Sequence, residues 1–309
     1  MTDGELQLHA ASVRVPCSTS NLGSGFDVLG LALDRYLEAS FEPGGSEIQL
    51  ERSGTLSGLE EPAADDFVLR SFRSVLEAHR VVGGGVVSAT SAVPLARGLG
   101  SSAMALVAGA ALARAALKLE CSRDIPFQAA SEHEGHGDNA APCAYGGLQA
   151  VVPGDAGPRV IALPLSPDVG FAYAAPAARV STEAARGVLP THVAHPTAVL
   201  GHGRFAALLQ GLASGDPDLI SIGFTDELHV PYRLPLIPGA PNAMGAGYDA
   251  GAWGVTISGS GSGLIALCPP DKAEDVAAAM REVFSAGEEN PDCWGMALVP
   301  DFEGLVVTG

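Results

Sequence analysis

The sequence predicts an α+β protein built from two domains. Short segments of alternating apolar residues indicate strands, and they are mixed with longer segments of helical periodicity without strict alternation. A regular strand–helix alternation would instead favour a doubly wound parallel sheet. The chain has 309 residues, which is roughly twice the usual length of one domain. The turn-forming segment Pro153-Gly154-Asp155-Ala156-Gly157-Pro158 is the predicted boundary, so the domains are expected at 1–155 and 156–309.

In the first half, residues 28–33 are apolar enough for a short helix or a buried turn. Residues 36–41 and 47–52 are predicted strands that pair with each other around the turn Pro43-Gly44-Gly45. The remaining elements expected here are strands at 11–16, 83–92 and 148–152 and helices at 65–80, 101–119 and 125–134.

The second half repeats the mixture of the two periodicities. Strands are predicted at 160–163, 170–174, 254–258 and 263–267, and helices at 181–188, 197–214 and 272–286. This order again favours α+β over a doubly wound sheet.

Composition restricts the class of protein and its partners. Hydrophobic residues make up 47% of the chain and charged residues 17%, as in globular proteins. The longest apolar run is interrupted by Arg114 and Lys118, and the N-terminus lacks the basic head of a signal peptide, so a soluble cytoplasmic protein is expected. The net charge of −18 argues against nucleic acid and anionic membranes as partners. The five cysteines include no Cys-x-x-Cys, which argues against a disulfide framework or a structural zinc site.

The most informative segment is Gly98-Leu99-Gly100-Ser101-Ser102-Ala103, which opens the predicted helix 101–119. Glycines allow the backbone to approach a ligand closely, and the first amides of a helix form an anion site. This pattern predicts a phosphate loop, although it is not Walker A, because no Gly-Lys precedes the serines. Arg97 either reaches the phosphate or points to solvent.

Two further glycine-rich segments have open interpretations. Residues 16–27 place Asn21 and Asp27 on either side of glycines, where they either hold a polar substrate or close Asx turns on their own backbone. Residues 258–263 alternate serine and glycine between two predicted strands. They form either a plain hairpin or a backbone platform against a ligand.

Residues 132–139 concentrate three acids, two histidines and an amide. Such density is costly unless it binds something, and carboxylate oxygens suit Mg²⁺. His133 and His136 are three residues apart, but the expected helix end between them argues against a zinc pair. A solvated helix terminus is the alternative.

Together the four segments resemble the GHMP kinase superfamily of small-molecule kinases, and within it the homoserine kinase family. Residues 16–27 resemble the motif Pro-x-Ser-Thr-x-Asn-Leu-Gly-x-Gly-Phe-Asp, and 98–103 match Gly-Leu-Gly-Ser-Ser-Ala. Residues 134–139 resemble Glu-Gly-His-Pro-Asp-Asn, and 258–261 match Ser-Gly-Ser-Gly. The matches follow the family's order along the chain. Gly137 and Ser262 depart from it where proline is usual, and both departures keep the polar groups.

The resemblance implies an N-terminal α+β nucleotide-binding domain, a C-terminal ferredoxin-like domain and a homodimer. It implies ATP and Mg²⁺ as cofactors and L-homoserine as the alcohol that is phosphorylated, a step toward threonine. The alternatives are another GHMP kinase, acting for example on a mevalonate-pathway alcohol, or a non-catalytic nucleotide-binding regulator. Mevalonate also carries a carboxylate, so arginines that bind a substrate carboxylate do not distinguish a kinase of mevalonate-pathway alcohols from one that acts on homoserine.

The resemblance also assigns roles residue by residue. The implied ATP-binding residues are Pro94, Arg97, Gly98, Leu99, Gly100, Ser101, Ser102 and Ala103. Those implied for Mg²⁺ are Ser102 and Glu134, or Glu132 if the loop register differs. The implied substrate-binding residues are Asn21, Asp27, His136, Asp138, Arg186 and Arg233, and the catalytic ones are Asp138, Asn139 and Arg186. A dedicated base is not required, because phosphoryl transfer has a loose transition state.

Overall fold

The computed structural model describes residues 6–120, 122–155, 157–286 and 292–308. Its strands are β1 (Ala11–Ser20), β2 (Leu29–Pro43), β3 (Ile48–Gly54), β4 (Gly85–Ser91), β5 (Leu148–Val152), β6 (Arg159–Leu163), β7 (Gly170–Ala175), β8 (Gly254–Ile257), β9 (Leu264–Cys268), β10 (Trp294–Leu298) and β11 (Val306–Val307). Its α-helices are α1 (Phe67–Ala78), α2 (Ser101–Ala116), α3 (Asp124–Glu134), α4 (Ala140–Tyr145), α5 (Thr182–Gly187), α6 (His195–Ser214), α7 (Pro217–Phe224), α8 (Val230–Arg233), α9 (Ala240–Asp249) and α10 (Ala273–Ser285). The α+β class is confirmed.

The first sheet has seven strands in the order β11-β1-β2-β4-β3, and β5 and β6 extend it from the first part of β2. Helix α2 packs against β1, β2, α1, α3 and α4. It is buried on nearly all sides, from Ala103 to Ala113, which explains why its alanine-rich sequence shows no polar face. Its N-terminus is thereby fixed at the edge of the core.

Two predictions for β2 are wrong. Residues 29–33 are a fully buried strand rather than a helix or turn, and a short apolar run does not distinguish these states. The strands β2 and β3 do not pair with each other, because β4 lies between them, antiparallel to β2 and parallel to β3. The pairing of β3 with β4 joins residues more than thirty positions apart, and the local turn sequence carries no information about such a distant partner.

The second sheet is antiparallel, in the order β10-β7-β9-β8. Numbered within this half, the strand order is 4-1-3-2, and α10 connects its third and fourth strands, as the expected ferredoxin-like arrangement requires. Along β7, Phe171 and Tyr173 join the core shared with the first sheet. The alternate residues Ala172 and Ala174 face a second core under α9 and α10. Helices α4 and α7–α9 and strands β10 and β11 were not predicted.

The predicted division at residue 155 stays a prediction. Strand β6 follows that point but pairs with β5, and β11 near the C-terminus pairs with β1, so both belong to the first sheet. Ala156, at the predicted boundary, and Cys121 lie outside the described residues. The other four cysteines are buried and free. Across the described ranges, no helix has the length and apolarity that crossing a membrane requires.

Candidate active site

The predicted phosphate loop connects β4 to α2 and opens into a cleft of about 600 Å³. Gly98 and Gly100 have φ of 78° and 60°. A Cβ at Gly98 would lie 2.0 Å from the carbonyl oxygen of Ser258, and one at Gly100 would lie 2.2 Å from Ser18 Oγ. Glycine is therefore required here for conformation and for space. No side chain caps α2, so its first amides and its dipole remain available to an anion in the cleft.

Hydrogen bonds join the four sequence segments to one another. Ser18 Oγ donates to Asn139 Oδ1 at 3.0 Å, and Asn139 Nδ2 donates to Ser20 Oγ at 2.9 Å. Asn21 Nδ2 donates to the Gly259 carbonyl oxygen at 2.6 Å. These contacts connect residues up to 238 positions apart in sequence. The four segments are consequently one structural unit around the cleft.

The phosphate loop is joined to the serine–glycine segment in the same way. Ser258 Oγ donates to the Gly98 carbonyl oxygen at 2.6 Å and lies 2.9 Å from the Thr19 hydroxyl. Burial of a polar cluster costs free energy unless each polar group has a hydrogen-bond partner, and the Ser258 and Thr19 hydroxyls both have one. The loop conformation is thus held from both halves of the chain.

Glu134 is the carboxylate nearest the start of α2. Its Oε1 accepts a hydrogen bond from the Ser102 hydroxyl, and its buried Oε2 has no hydrogen-bond partner within the described chain. Burial raises the pKa of Glu134, and the hydrogen bond from Ser102 offsets only part of that effect. An unpaired buried carboxylate oxygen beside a hydroxyl is a favourable donor set for a hard cation.

Asp138 has a different environment from Glu134, although it is also buried. Its Oδ1 lies 2.6 Å from His136 Nδ1 and accepts from the Asn139 amide at 3.1 Å. Burial alone would raise the pKa of Asp138, but the hydrogen bond and charge of His136 outweigh it, and the pKa is lowered. Burial lowers the pKa of His136, and the bond to Asp138 more than compensates, so that pKa is raised. Asp138 is therefore held as a carboxylate.

Asp27 and Arg186 form an ion pair across the cleft. Arg186 Nη1 donates to Asp27 Oδ2 at 3.1 Å, and Nη2 donates to Oδ1 at 2.9 Å. Arg186 comes from the last turn of α5, whose N-terminus is capped by Ser181 Oγ. Burial lowers the pKa of Arg186, but its bond to Asp27 and the nearby acids raise it overall.

Arg233 lies deeper, at the end of α8. Its Nε donates to the Ala185 carbonyl oxygen at 3.0 Å, and its guanidinium lies 5.0 Å from the centre of the Phe26 ring. His229 stacks on Phe26 at 4.9 Å between ring centres. Burial, followed by the charge of Arg186, lowers the pKa of Arg233. The stack fixes the guanidinium in the lining of the cleft.

Most of the predicted site residues line this one cleft. They are Asn21, Asp27, Gly98, Gly100, Ser101, Ser102, Glu134, His136, Asp138, Asn139, Arg186 and Arg233. Pro94, Leu99 and Ala103 are buried below the loop rather than lining the cleft. Glu132 is exposed and does not line the cleft, whereas Glu134 does.

The side chain of Arg97 points neither to the cleft nor to solvent. It is 3% exposed, and it donates to the Pro176 carbonyl oxygen at 3.0 Å and the Ala177 carbonyl oxygen at 2.9 Å. Asp292 Oδ2 completes its contacts at 2.6 Å. The prediction that this side chain reaches a phosphate or points to solvent needs correcting, because the guanidinium satisfies backbone carbonyls instead.

Sequence reasoning missed a group of apolar residues that line the cleft together with Arg52, Glu61, Asp65 and Asp66. These apolar residues are Leu56, Leu59, Phe67, Val68, Leu95 and Ala105. The residues between β3 and α1 form a long connection of short 3-10 turns. Its length was the one available signal, because long connections are often functional.

The protein ligands for a cation are few. No group of three His, Cys, Asp or Glu side chains with metal-binding geometry occurs in the described part of the chain. A dedicated zinc or calcium cage is therefore not formed by these residues. The pair Ser102 and Glu134 fits the sparser requirement of Mg²⁺, which takes one or two protein oxygens together with substrate phosphates.

Models of known protein families match a segment in each half of the chain. Residues 66–147 match the model described as GHMP kinases N terminal domain. Residues 208–286 match the model described as GHMP kinases C terminal. Together the matches cover more than half of the chain.

Individual relatives agree with these matches. The chain is 40% identical over 282 residues to a homoserine kinase of Synechococcus sp. (strain RCC307), covering 87% of this chain and 88% of the relative. The crystal structure of homoserine kinase from Cytophaga hutchinsonii ATCC 33406 superposes with a TM-score of 0.86 and 31% identity over 97% of each chain. Mevalonate kinase of L. major, solved with R-mevalonate, has a TM-score of 0.68 at 15% identity over 97% of each chain, which shows a common fold only.

Proposed function

The chain belongs to the GHMP kinases, and on that premise we propose that it phosphorylates the side-chain hydroxyl of L-homoserine, with ATP as phosphate donor. The product is O-phospho-L-homoserine, and the reaction is a step toward threonine. The observation that carries the proposal is the joining of a phosphate loop and an acid–arginine set in one cleft. The names of the relatives agree with it.

The substrate end of the cleft has the charges that an amino-acid alcohol needs. Arg186 and Arg233 would bind the α-carboxylate, because a guanidinium pairs with a carboxylate through two parallel hydrogen bonds. Asp27 and Asp138 would meet the ammonium group or the hydroxyl. Asn21, His136 and Asn139 would complete the polar wall.

The opposite end of the cleft suits the nucleotide. Backbone amides of residues 97–102 and the dipole of α2 would bind the phosphates without a lysine. The apolar side chains around Leu56, Phe67 and Val68 would cover the base. The hydroxyl of the substrate would then face the γ-phosphate between the two ends.

Mg²⁺ would be held by Ser102 and Glu134, which offer a hydroxyl and an unpaired carboxylate oxygen. When bound, the ion supplies neutralisation of the phosphate charge. The chain's own residues would position the reactants. Asn139 joins the α3–α4 connection to Ser18 and Ser20 at the end of β1, and Arg186 would balance the negative charge of the nearby acids.

Proton removal does not require a dedicated base on this proposal. Asp138 has suitable chemistry, but its two hydrogen-bond donors stabilise its charged form and reduce its basicity. The loose transition state keeps the proton on the hydroxyl until late, so positioning contributes most of the rate. Asp138 would therefore orient the hydroxyl.

A coupled ADP-release assay tests the proposal. It compares L-homoserine, mevalonate, galactose and L-threonine, each with and without Mg²⁺. We expect turnover of homoserine well above the other alcohols, and only with Mg²⁺. Preference for another alcohol would favour a different GHMP kinase, and no turnover of any alcohol with ATP bound would favour a regulator.

A cytoplasmic homodimer without a nucleic-acid partner remains part of the proposal. It rests on the family resemblance and on the net charge of −18, which repels nucleic acid. Light scattering coupled to size exclusion measures the assembly directly.

A further inference from the structure

A side chain from β3 holds the connection between β3 and α1, residues 55–66. Nη1 of Arg52 donates to the carbonyl oxygens of Leu59 at 3.2 Å and Glu61 at 3.1 Å, and Nη2 donates to the latter at 3.2 Å. Nε of the same guanidinium lies 3.0 Å from Asp66 Oδ2. Arg52 therefore joins β3 to the middle and to the end of the connection.

The other attachments of the connection lie at its start. Thr55 Oγ1 donates to the Ser91 carbonyl oxygen at 3.1 Å, and Leu56 is buried in the core. Residues 57–65 are mostly exposed, and within the described chain their remaining hydrogen bonds are local, such as the one from the Leu59 amide to the Leu56 carbonyl oxygen at 3.1 Å. The position of the middle of the connection consequently depends on the guanidinium.

The charges of the connection favour this attachment. Residues 55–66 include four acidic side chains and no lysine or arginine. The acids are Glu60, Glu61, Asp65 and Asp66. They repel one another, and the three that line the cleft repel an anionic ligand there. Arg52, whose side chain is 14% exposed, offsets part of this repulsion where solvent screens little.

Asp66 connects Arg52 to the first turn of α1. Its Oδ2 faces the guanidinium, and its Oδ1 accepts from the amides of Val68 at 2.9 Å and Leu69 at 3.3 Å. The same carboxylate therefore caps the helix and binds Arg52. Phe67 and Val68 of this turn line the cleft, so their positions depend on Asp66.

We propose that Arg52 is a positioning residue for the nucleotide base. It holds the connection and the first turn of α1, so that Leu59, Phe67 and Val68 form one apolar wall for the base. The phosphates bind at the β4–α2 loop without its help. This inference rests on the proposed ATP site and adds to it a residue outside the phosphate loop. Replacement of Arg52 consequently weakens binding of the base and not of the phosphates.

The test compares two ligands that share three phosphates, a non-hydrolysable ATP analogue and inorganic triphosphate. Calorimetric titrations with Mg²⁺ give Kd for both ligands in the wild type and in Arg52→Lys. Lysine keeps the charge, but one ammonium group cannot replace a planar fork that reaches three acceptors. We expect Kd of the analogue to rise about tenfold and Kd of triphosphate to stay unchanged. The matched control is Arg73→Lys, which weakens a 3.1 Å bond to the Ile48 carbonyl oxygen of β3 outside the cleft and should change neither Kd.

Asp66→Asn separates positioning from direct contact, because Arg52 itself also lines the cleft. Asparagine caps a helix as well as aspartate does, so α1 is retained while the ion pair to Arg52 is lost. We expect Kd of the analogue to rise about threefold, since one ion pair is removed. An unchanged Kd in Asp66→Asn would mean that Arg52 acts on the base directly and would overturn the proposal. This variant also decides the question if Arg52→Lys does not fold.

Steady-state kinetics with L-homoserine give a second readout for Arg52→Lys. We expect KM for ATP to rise while kcat at saturating ATP and KM for homoserine stay unchanged, because only the wall for the base is displaced. A fall in kcat or a rise in KM for homoserine would indicate a general loss of structure and contradict a positioning role. An equal rise in Kd for the analogue and for triphosphate would mean that Arg52 acts on the phosphate loop, which also contradicts it.

The same titrations separate this inference from the proposed function. A protein that shows the expected difference between the two ligands but phosphorylates no alcohol would contradict the proposed function and leave the role of Arg52 standing. A wild type that phosphorylates homoserine, with an Arg52→Lys variant that binds the analogue equally well, would overturn the inference alone. A wild type that binds neither ligand would overturn both.

Discussion

Two buried carboxylates of the same cleft, Glu134 and Asp138, have different hydrogen-bond environments. Asp138 receives hydrogen bonds on one oxygen from two donors, and its pKa is lowered in spite of burial. Glu134 has one donor, Ser102, and an oxygen without a partner, and burial raises its pKa. A carboxylate whose charge is stabilised by hydrogen bonds is suited to orienting a ligand. A buried carboxylate with an unpaired oxygen is stabilised most by binding a cation.

Replacement of Asp138 tests whether it acts as a base. We expect Asp138→Asn to lower kcat by roughly tenfold to a hundredfold and to leave measurable activity, because only positioning is lost. Steady-state kinetics at saturating ATP measure the change. Complete loss of activity in a folded variant that still binds ATP would contradict this expectation.

Replacement of Glu134 tests the cation site. Glu134→Gln should raise the free Mg²⁺ concentration needed for half-maximal rate by about tenfold, since the amide removes one charged ligand. The matched control is Glu132→Gln on the same helix, where the side chain is exposed and outside the cleft. Equal shifts in the two variants would contradict the choice of Glu134. Initial rates over a Mg²⁺ series measure both.

At the scale of elements, turns rather than strands or helices carry the site. The β4–α2 loop, the end of β1, the α3–α4 connection and the β8–β9 turn meet through hydrogen bonds between Asn139, Ser18, Ser258 and Gly98. Their backbones approach so closely that a Cβ at Gly98 of the β4–α2 loop would lie 2.0 Å from the Ser258 carbonyl oxygen of the β8–β9 turn. The strands fix the ends of these turns, and the glycines permit the contact.

The glycine of the phosphate loop allows a matched comparison. Gly98 and the exposed Gly45 have similar φ values, 78° and 67°, but a Cβ at Gly45 meets nothing within 4 Å. Gly45→Ala should lose about 1 kcal/mol of stability through strain at positive φ, and Gly98→Ala should lose more, because its Cβ would also overlap the Ser258 carbonyl oxygen. Gly98→Ala should in addition raise KM for ATP by more than tenfold, because it displaces the loop from Ser258. An unchanged KM in Gly98→Ala, with stability measured by urea unfolding, would contradict this.

At the scale of the whole molecule, the phosphate loop is attached to both sheets. Arg97 precedes the loop glycines and bonds carbonyls that follow β7, and the buried Tyr173 hydroxyl of β7 donates to the Arg97 carbonyl oxygen at 2.6 Å. One hydrophobic core includes Phe171 and Tyr173 of the second sheet together with α2. The two halves therefore support the β4–α2 loop jointly.

Arg97→Ala tests this connection. It should destabilise the protein by roughly 3 kcal/mol, because the carbonyls of Pro176 and Ala177 lose a buried charged donor. KM for ATP should rise in parallel, although the side chain does not line the cleft. Asp292→Asn is the control: its side chain is 64% exposed, so its loss should cost less than about 1 kcal/mol. Comparable losses in both variants, measured by urea unfolding, would contradict the assignment.

The sequence by itself determined the features that depend on local pattern. The α+β class, the long buried helix α2, the glycine conformations of the phosphate loop and the four ordered segments follow from periodicity, turn chemistry and spacing. The resemblance that these segments carry was sufficient to indicate the family that the comparisons show.

Only the tertiary structure decided the features that depend on distant contacts. It placed β4 between β2 and β3, turned Arg97 toward backbone carbonyls, brought Glu134 rather than Glu132 into the cleft and paired Asp27 with Arg186. The last two residues are 159 positions apart, and no local propensity determines which side chain an arginine meets at that separation. Such contacts stabilise the protein only in the folded state, because packing of the core holds both side chains in place and so removes most of the entropy cost of bringing them together.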